Sequence, residues 1–189
     1  MAYLRWLTLA SFLLWFVLYW EGGRRALSDI RHATSPLDGA LMIAIADGAL
    51  IVVVGGLGMA AGVLSPAWES YPVSIIGLLL TWAGIGGTFY SRHYLGRFWT
   101  AEAALQEEHR VVDSGPYAIV RHPIYTAAIA LYIGLGLSFP AWWTGAAVAL
   151  IVISYAWKAR LEDDFLDAEL PGYREYRRRT RYRLVPGVW

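Results

Sequence analysis

Val73-Ser74-Ile75-Ile76-Gly77-Leu78-Leu79-Leu80-Thr81-Trp82-Ala83-Gly84-Ile85-Gly86-Gly87-Thr88-Phe89-Tyr90 is an 18-residue run without a charged side chain. A helix that crosses a bilayer needs roughly 20 predominantly apolar residues, within a range of about 17–25. This run meets that length, and two others upstream do too. Tyr3 to Trp20 is apolar apart from Arg5 and small polar residues, and Ala40 to Leu64 is interrupted only by Asp47. Downstream, Ile124 to Phe139 and Ala141 to Trp157 are shorter and are separated by Pro140. They read as a helical hairpin turning at Ser138-Phe139-Pro140-Ala141, or as a re-entrant or tilted pair. The expectation is an all-α integral membrane bundle of about five transmembrane helices.

Composition agrees. Of 189 residues, 57% are hydrophobic and 16% charged, with 10 Trp, 12 Tyr and 6 Phe. Typical soluble domains carry about 45–50% and about 25%. A disordered chain, which needs low hydrophobicity and high net charge, is excluded. The absence of cysteine excludes disulfides, thiolate metal sites and a cysteine nucleophile. A net charge of +1 gives no global attraction for nucleic acid. No metal site is expected.

The basic residues set the expected orientation. All sixteen except Arg5 fall in the segment between spans one and two, the segment between spans three and four, or the stretch after span five. By the positive-inside rule these face the cytoplasm, leaving the N-terminus outside. The first run lacks a small-residue cleavage pattern before Glu21 and reads as a retained helix. Gly22-Gly23 is expected to end helix one, Ser65-Pro66 helix two, and Tyr71-Pro72 to begin helix three. Glycines in spans two and three suit close helix packing. Asp47 is an ionisable residue inside a span, which suits either a function or a hydrogen bond to a neighbouring helix.

Polar chemistry concentrates in two blocks that flank the hairpin, so the hairpin brings them together. The first holds Trp99, Glu102, His109-Arg110-Val111-Val112, Ser114-Gly115-Pro116-Tyr117 and Arg121-His122-Pro123-Ile124-Tyr125. Pro123 suits the first turn of a helix, which puts His122 at its N-cap. His122 and Tyr125, three apart, share a face. The second block holds Lys158, Glu162-Asp163, Leu166 and Leu170-Pro171-Gly172-Tyr173-x-x-Tyr176. Lys158 and Glu162, four apart, are expected to face one pocket. Tyr173 and Tyr176 begin an amphipathic segment expected on the membrane surface, with Arg179, Arg181 and Arg183 toward anionic headgroups.

Together these blocks resemble the isoprenylcysteine carboxyl methyltransferase family, which shares its C-terminal pattern with the membrane phospholipid methyltransferases. The resemblance covers Leu95 to Trp189, and the closing Arg181-Tyr182-Arg183-Leu184-Val185-Pro186-Gly187-Val188-Trp189 looks like bacterial members. It implies an S-adenosylmethionine-dependent methyltransferase acting on a lipid-like substrate of the isoprenylcysteine carboxylate type, in a bacterial inner membrane. A single membrane-embedded domain is implied, with helices one to three in residues 1–93 and the cofactor-binding half in 94–189.

The resemblance assigns the cofactor to His109, Arg110, Val111, Val112, Tyr117, His122, Pro123, Ile124, Tyr125 and Glu162. Glu102 stands where the family has a glutamine ligand, and Asp163 where it has a second glutamate. Lys158, the only lysine of the chain, stands where the family has an arginine that contacts the substrate carboxylate. A lysine keeps that charge and loses the bidentate fork.

The chemistry of these side chains agrees with such roles. Glu162 suits the ammonium of the methyl donor. Arg121, Arg110 or the helix N-terminus suits its carboxylate. Tyr117 and Tyr125 offer hydroxyls and a wall for adenine, and Trp99 can line the site. A carboxylate acceptor needs no base, whereas an amine or thiol needs one, and His122 is the nearby group suited to it. A phospholipid amine or small thiol acceptor therefore stays open. Two other classes stand beside this reading, an NADPH-dependent sterol-type reductase and a non-catalytic lipid-binding bundle. The former is longer with more spans, and the latter would tolerate Glu162→Ala.

Overall fold

The structure, a computed structural model, describes residues 1–26, 32–33, 36–99, 104–105 and 108–189. It is an all-helical bundle: α1 (Ala2–Ala26), α2 (Pro36–Ala60), α3 (Tyr71–Leu95), α4 (Pro123–Ser138), α5 (Trp142–Glu169) and α6 (Tyr173–Arg179). The one β-pairing among the described residues is two residues long, β1 (His32–Ala33) antiparallel to β2 (Ala104–Leu105). Short 3-10 turns at Gly96–Phe98 and Gly115–Ala118 frame the segment that precedes α4.

Spans Ala2–Tyr19, Leu37–Ala60 and Tyr71–Phe98 are each long and apolar enough to cross a membrane, and Pro123–Ser138 is a shorter apolar helix. Their outward faces carry exposed side chains such as Leu14, Ile43, Leu50, Val54, Ile76 and Leu79. Water would not tolerate so continuous an apolar surface, and a bilayer does. The chain is an integral membrane protein.

Helices α1 to α5 form a closed ring in the order α1, α3, α4, α5, α2. Leu9, Phe12, Trp15, Val52, Leu131, Leu135, Phe139 and Ile151 fill its centre. Small residues set the spacing between neighbours. A Cβ on Gly84 would lie 2.5 Å from the Leu131 nitrogen, and one on Gly134 2.5 Å from the Thr81 nitrogen. Across the other long contact, the Trp143 ring occupies the place of a Cβ on Gly55, 1.9 Å away. Indole groups also bridge helices: Trp15 Nε1, buried, donates to Thr88 Oγ1 (2.8 Å), and Trp82 Nε1, on the exposed surface, to Ser11 Oγ (3.0 Å).

Three expected boundaries are corrected. Helix α1 runs through Gly22-Gly23 to Ala26, because paired glycines weaken a helix without forbidding it. Helix α2 begins at Pro36 and ends at Ala60, ahead of Ser65-Pro66. Its end is made by Gly62 in the left-handed region (φ 75°), with Val63 and Leu64 amides donating to the Gly58 carbonyl. Asp47 is exposed on the outer face of α2, and among the described residues no hydrogen bond joins it to a neighbouring helix. The start of α3 at Tyr71 and the α4–α5 turn at Phe139-Pro140 fall as the sequence indicates.

The feature that positions the site is a mismatch in length. Helix α4 has 16 residues, about 24 Å at ~1.5 Å per residue, against 25 residues in antiparallel α3. Gly87 packs on Ala127, so α3 has two further turns where α4 has one. The end of α3 therefore overhangs the start of α4 and leaves a notch there.

Candidate functional site at the end of the α4–α5 hairpin

That notch is a cavity with about 750 Å³ of empty space, the solvent at its open mouth included. Leu95, Phe98 and Trp99 roof it from the end of α3; Ile124 and Tyr125 rise from the first turn of α4. Glu162, Leu166 and Leu170 come from the polar end of α5, and Tyr173 and Tyr176 from α6. The segment His109 to Val112 closes the remaining side, with Tyr117, Arg121 and His122 behind it.

The local chain geometry follows from proline and glycine. Pro123 sits at the first helical position and His122 is the N-cap residue, as the sequence indicates. The amides of Arg121 and His122 donate to the carbonyls of Tyr182 and Arg183, both at 2.9 Å, and Thr126 Oγ1 donates to the Leu184 carbonyl at 2.7 Å. The tail after α6 is thus sewn to the start of α4. Gly172 (φ 84°) makes the reversal from α5 into α6, a conformation costly for a side-chain-bearing residue.

Beneath the cavity lies Asp163, fully buried. It accepts from His122 Nε2 (2.9 Å), from Arg121 Nε and Nη2 (3.0 and 2.7 Å), from the Tyr173 hydroxyl (2.6 Å) and from Arg183 Nε (2.6 Å). Burial pushes this carboxyl up, but the hydrogen bonds from His122 and Arg121 outweigh it and hold it well below the usual carboxylate range. The same burial, with Asp163 charge beside it, raises the Tyr173 hydroxyl far above its ordinary value. The other nitrogen of Arg121, Nη1, donates to the Thr180 and Arg181 carbonyls, both at 2.7 Å.

Glu162, the adjacent carboxylate, faces the cavity instead. It is partly exposed, accepts from the Tyr125 hydroxyl at 2.6 Å and lies 3.7 Å from His122 Nδ1. The His122 and Tyr125 rings are parallel, 5.5 Å apart. His109 stacks on Phe98 at 4.7 Å; burial lowers its pKa, and the Glu162 charge offsets part of that. Tyr117 is raised by burial and by the same Glu162 charge. Trp99 carries the Arg92 guanidinium 3.9 Å over its ring and meets Tyr19 edge-on.

The structure therefore brings His109, Arg110, Val111, Val112, Tyr117, Arg121, His122, Ile124, Tyr125 and Glu162 to one cavity, with Trp99. Pro123 shapes the wall without lining it. Glu102 lies outside the described residues. Lys158 does not face the cavity with Glu162: it is buried, with Nζ 2.5 Å from Asp38 Oδ1 of α2. Arg121 is bound up with Asp163 and two carbonyls, whereas Arg110, exposed at the rim, has no ion-pair partner among the described residues and is open to a ligand.

Part of the C-terminal segment expected at the membrane surface turns inward. Tyr173 and Tyr176 turn inward, Tyr176 donating to the Tyr117 carbonyl at 2.8 Å. Arg183 is spent on Asp163 and Arg179 pairs with Asp113 at 2.9 Å. Sequence reasoning missed Asp163 as the hub, and Phe98, Leu166 and Leu170 as walls. The hint lay in the alternation along α5 and α6, where an acidic residue next to Glu162 must point to the other side, toward the paired tyrosines.

Comparison with known proteins fits this geometry. The profile of the phospholipid methyltransferase family matches residues 73–170, from the start of α3 through the whole of α5. The chain belongs to the phospholipid methyltransferase family. That family implies a membrane methyltransferase, and its members generally use S-adenosylmethionine. Among curated proteins, the chain is 33% identical over 115 residues to the cobalt-zinc-cadmium resistance protein CzcN of Cupriavidus metallidurans, covering 60% of this chain and 51% of that protein. It is 30% identical, also over 115 residues, to the nickel-cobalt-cadmium resistance protein NccN of Alcaligenes xylosoxydans xylosoxydans, covering 60% and 50%. The chain spans about half the length of these relatives. Among the described residues, no group of three or more His, Asp and Glu side chains is placed to hold a metal ion.

The cavity suits S-adenosylmethionine by its donor set. The Glu162 carboxylate and Tyr125 hydroxyl match an ammonium, Arg110 matches a carboxylate, and the Phe98–His109 stack with Tyr117 offers flat apolar walls for a purine.

Proposed function

We propose that this protein transfers a methyl group from S-adenosylmethionine to a lipid-like acceptor at the membrane face that carries the basic residues. By the positive-inside rule that face is cytoplasmic. The observation that carries the reading is the Tyr125–Glu162 hydrogen bond on the wall of the notch above α4. It fixes a carboxylate, partly open to solvent, in a cavity whose other walls combine aromatic and apolar groups with His109, Arg110 and His122.

S-adenosylmethionine supplies an electrophilic methyl carbon, whose bond to sulfur breaks with the electron pair staying on sulfur as the acceptor's lone pair forms the new bond. The protein's part is positioning and exclusion of water, which supply most of the acceleration of such an in-line displacement. Glu162 holds the donor's ammonium, and Tyr125 keeps Glu162 in place. Arg110 closes on the donor's carboxylate from the rim. Phe98, Trp99 and Tyr117 exclude water. Because Asp163 is an ionised acceptor, His122 presents Nε2–H to it. Its Nδ1 is then the basic nitrogen on the cavity side, available to take a proton from an amine or thiol acceptor.

An isoprenylcysteine carboxylate is the acceptor that the sequence resemblance suggests first, with phospholipid amines and small thiols beside it. The neutralisation of Lys158 by Asp38 favours the latter group. The test is calorimetric titration of S-adenosylmethionine into the protein in nanodiscs, beside Glu162→Ala. Micromolar-range binding that the variant loses supports the reading. Absence of binding to the unaltered protein removes it.

A further inference from the structure

Asp38 stands in the first turn of α2, 2% exposed. One carboxylate oxygen, Oδ1, accepts from Lys158 Nζ. The other, Oδ2, is enclosed and has no hydrogen-bond partner. Buried acceptors are rarely left so, and a charged one least of all. Lys158 is equally incomplete: an ammonium has three donors, and among the described residues only the bond to Asp38 engages them. The pair therefore presents an open acceptor beside open donors, with no net charge.

Its place matters. Lys158 lies one helical turn before Glu162 on the same face of α5, about 6 Å nearer the bundle centre at ~1.5 Å per residue. Glu162 in turn accepts from the Tyr125 hydroxyl. The pair thus sits about one helical turn from the floor of the methyl-donor cavity, toward the bundle centre.

We propose that Asp38 is a specificity-determining residue: with Lys158 it receives the head of the acceptor, and selects an N–H or O–H group over a carboxylate. The inference rests on the methyltransferase reading. A hydroxyl or neutral amine both donates and accepts, so it completes Asp38 Oδ2 and Lys158 Nζ together. A carboxylate finds the Lys158 charge already balanced and meets the Asp38 charge beside it. It also leaves Oδ2 without a donor. Sites built around a substrate N–H or O–H discriminate strongly against analogues that lack it.

The test uses three acceptors with one chain and different heads: hexadecylamine, hexadecanol and palmitate, each loaded into nanodiscs with the full-length protein. Label transferred from S-adenosylmethionine is the readout, and affinity for S-adenosylmethionine is measured in parallel. The expected result is that the amine or the alcohol is methylated at least about tenfold faster than palmitate. Asp38→Asn, which unmasks the Lys158 charge, is expected to move that ratio toward palmitate by about tenfold at unchanged donor affinity. Preference of the unaltered protein for palmitate overturns the proposal. So does labelling of none of the three by protein that binds the donor, or an unchanged ratio in a variant that binds it. The comparison of heads needs no variant, so a poorly folded Asp38→Asn leaves the decision standing. Failure of the unaltered protein to bind the donor at all instead removes the methyltransferase reading beneath it.

Discussion

His122 Nε2 lies 2.9 Å from Asp163 Oδ1, and its Nδ1 lies 3.7 Å from Glu162 Oε2. One imidazole thus separates two neighbouring carboxylates of opposite circumstance. Asp163 is fully buried and satisfied by four side chains; Glu162 is partly open, with a single close donor. The pair divides the work between holding the site together and meeting its ligand.

Asp163→Asn should therefore cost stability. It leaves Arg121 and Arg183 without their counter-charge inside the protein, and removing one partner of a buried ion pair typically costs about 3–5 kcal/mol. Glu162→Gln keeps an acceptor for Tyr125 and should change stability by about 1 kcal/mol or less, while abolishing binding of S-adenosylmethionine. Unfolding curves and calorimetry on the two variants read this directly. Equal stability losses would show that the division is wrong.

The same network sets an acid limit. The folded-state pKa of Asp163 is depressed below its unfolded value of 3.8. In the window between them the unfolded chain binds more protons, so stability falls as pH falls. The contribution of Asp163 is fully present above pH 3.8 and is lost only as the pH drops toward the folded value. His109 acts higher. Its pKa is lowered from 6.5, chiefly by burial, so stability is full above pH 6.5 and declines as pH falls below it. Thermal midpoints across pH should show two declines, and His109→Gln should remove the upper one alone.

Tyr125→Phe isolates the hydroxyl from the ring. The ring stacks on His122 and packs on Tyr155 at 5.2 Å, and phenylalanine preserves both contacts. The lost bond goes to a charged group, where hydrogen bonds contribute about 1.5–3 kcal/mol. Affinity for S-adenosylmethionine should fall by about tenfold or more, and the unfolding midpoint should drop by several degrees with the lost bond. Unaltered affinity would mean that Glu162 is held by something other than Tyr125.

Spans, the Phe139-Pro140 turn and the His122-Pro123 cap were legible because each rests on local chemistry: apolar length, a missing amide, a fixed φ. The membership of the cavity was legible through a motif, since Arg121 to Tyr125 and Glu162 carry a recognisable pattern. The partners of Lys158 and Arg121 were not. Asp38 is 120 residues from Lys158, and only the ring order that sets α2 against α5 joins them. Likewise, Tyr173 and Arg183 look like surface residues by composition. They turn inward because Asp163, on the far side of a glycine reversal, needs their hydrogen bonds.

The closeness of α3 and α4, which sets the notch, can be tested by adding single methyl groups. A Cβ on Gly84 would lie 2.5 Å from the Leu131 nitrogen and 2.6 Å from the Ala127 carbonyl oxygen, both backbone atoms that cannot swing aside. One on Gly86, half a turn away, meets nothing within 4 Å. Gly84→Ala must push the helices apart, at the roughly 1–3 kcal/mol typical of overpacking. Gly86→Ala gains helix propensity of about 0.5–1 kcal/mol with no clash. Because α4 carries His122 and Tyr125 at its end, Gly84→Ala should also weaken S-adenosylmethionine binding although it lies outside the cavity. Gly86→Ala should leave it unchanged. Equal thermal midpoints for the two variants would mean that α3 and α4 are not in the contact described, and that the overhang forming the notch has another origin.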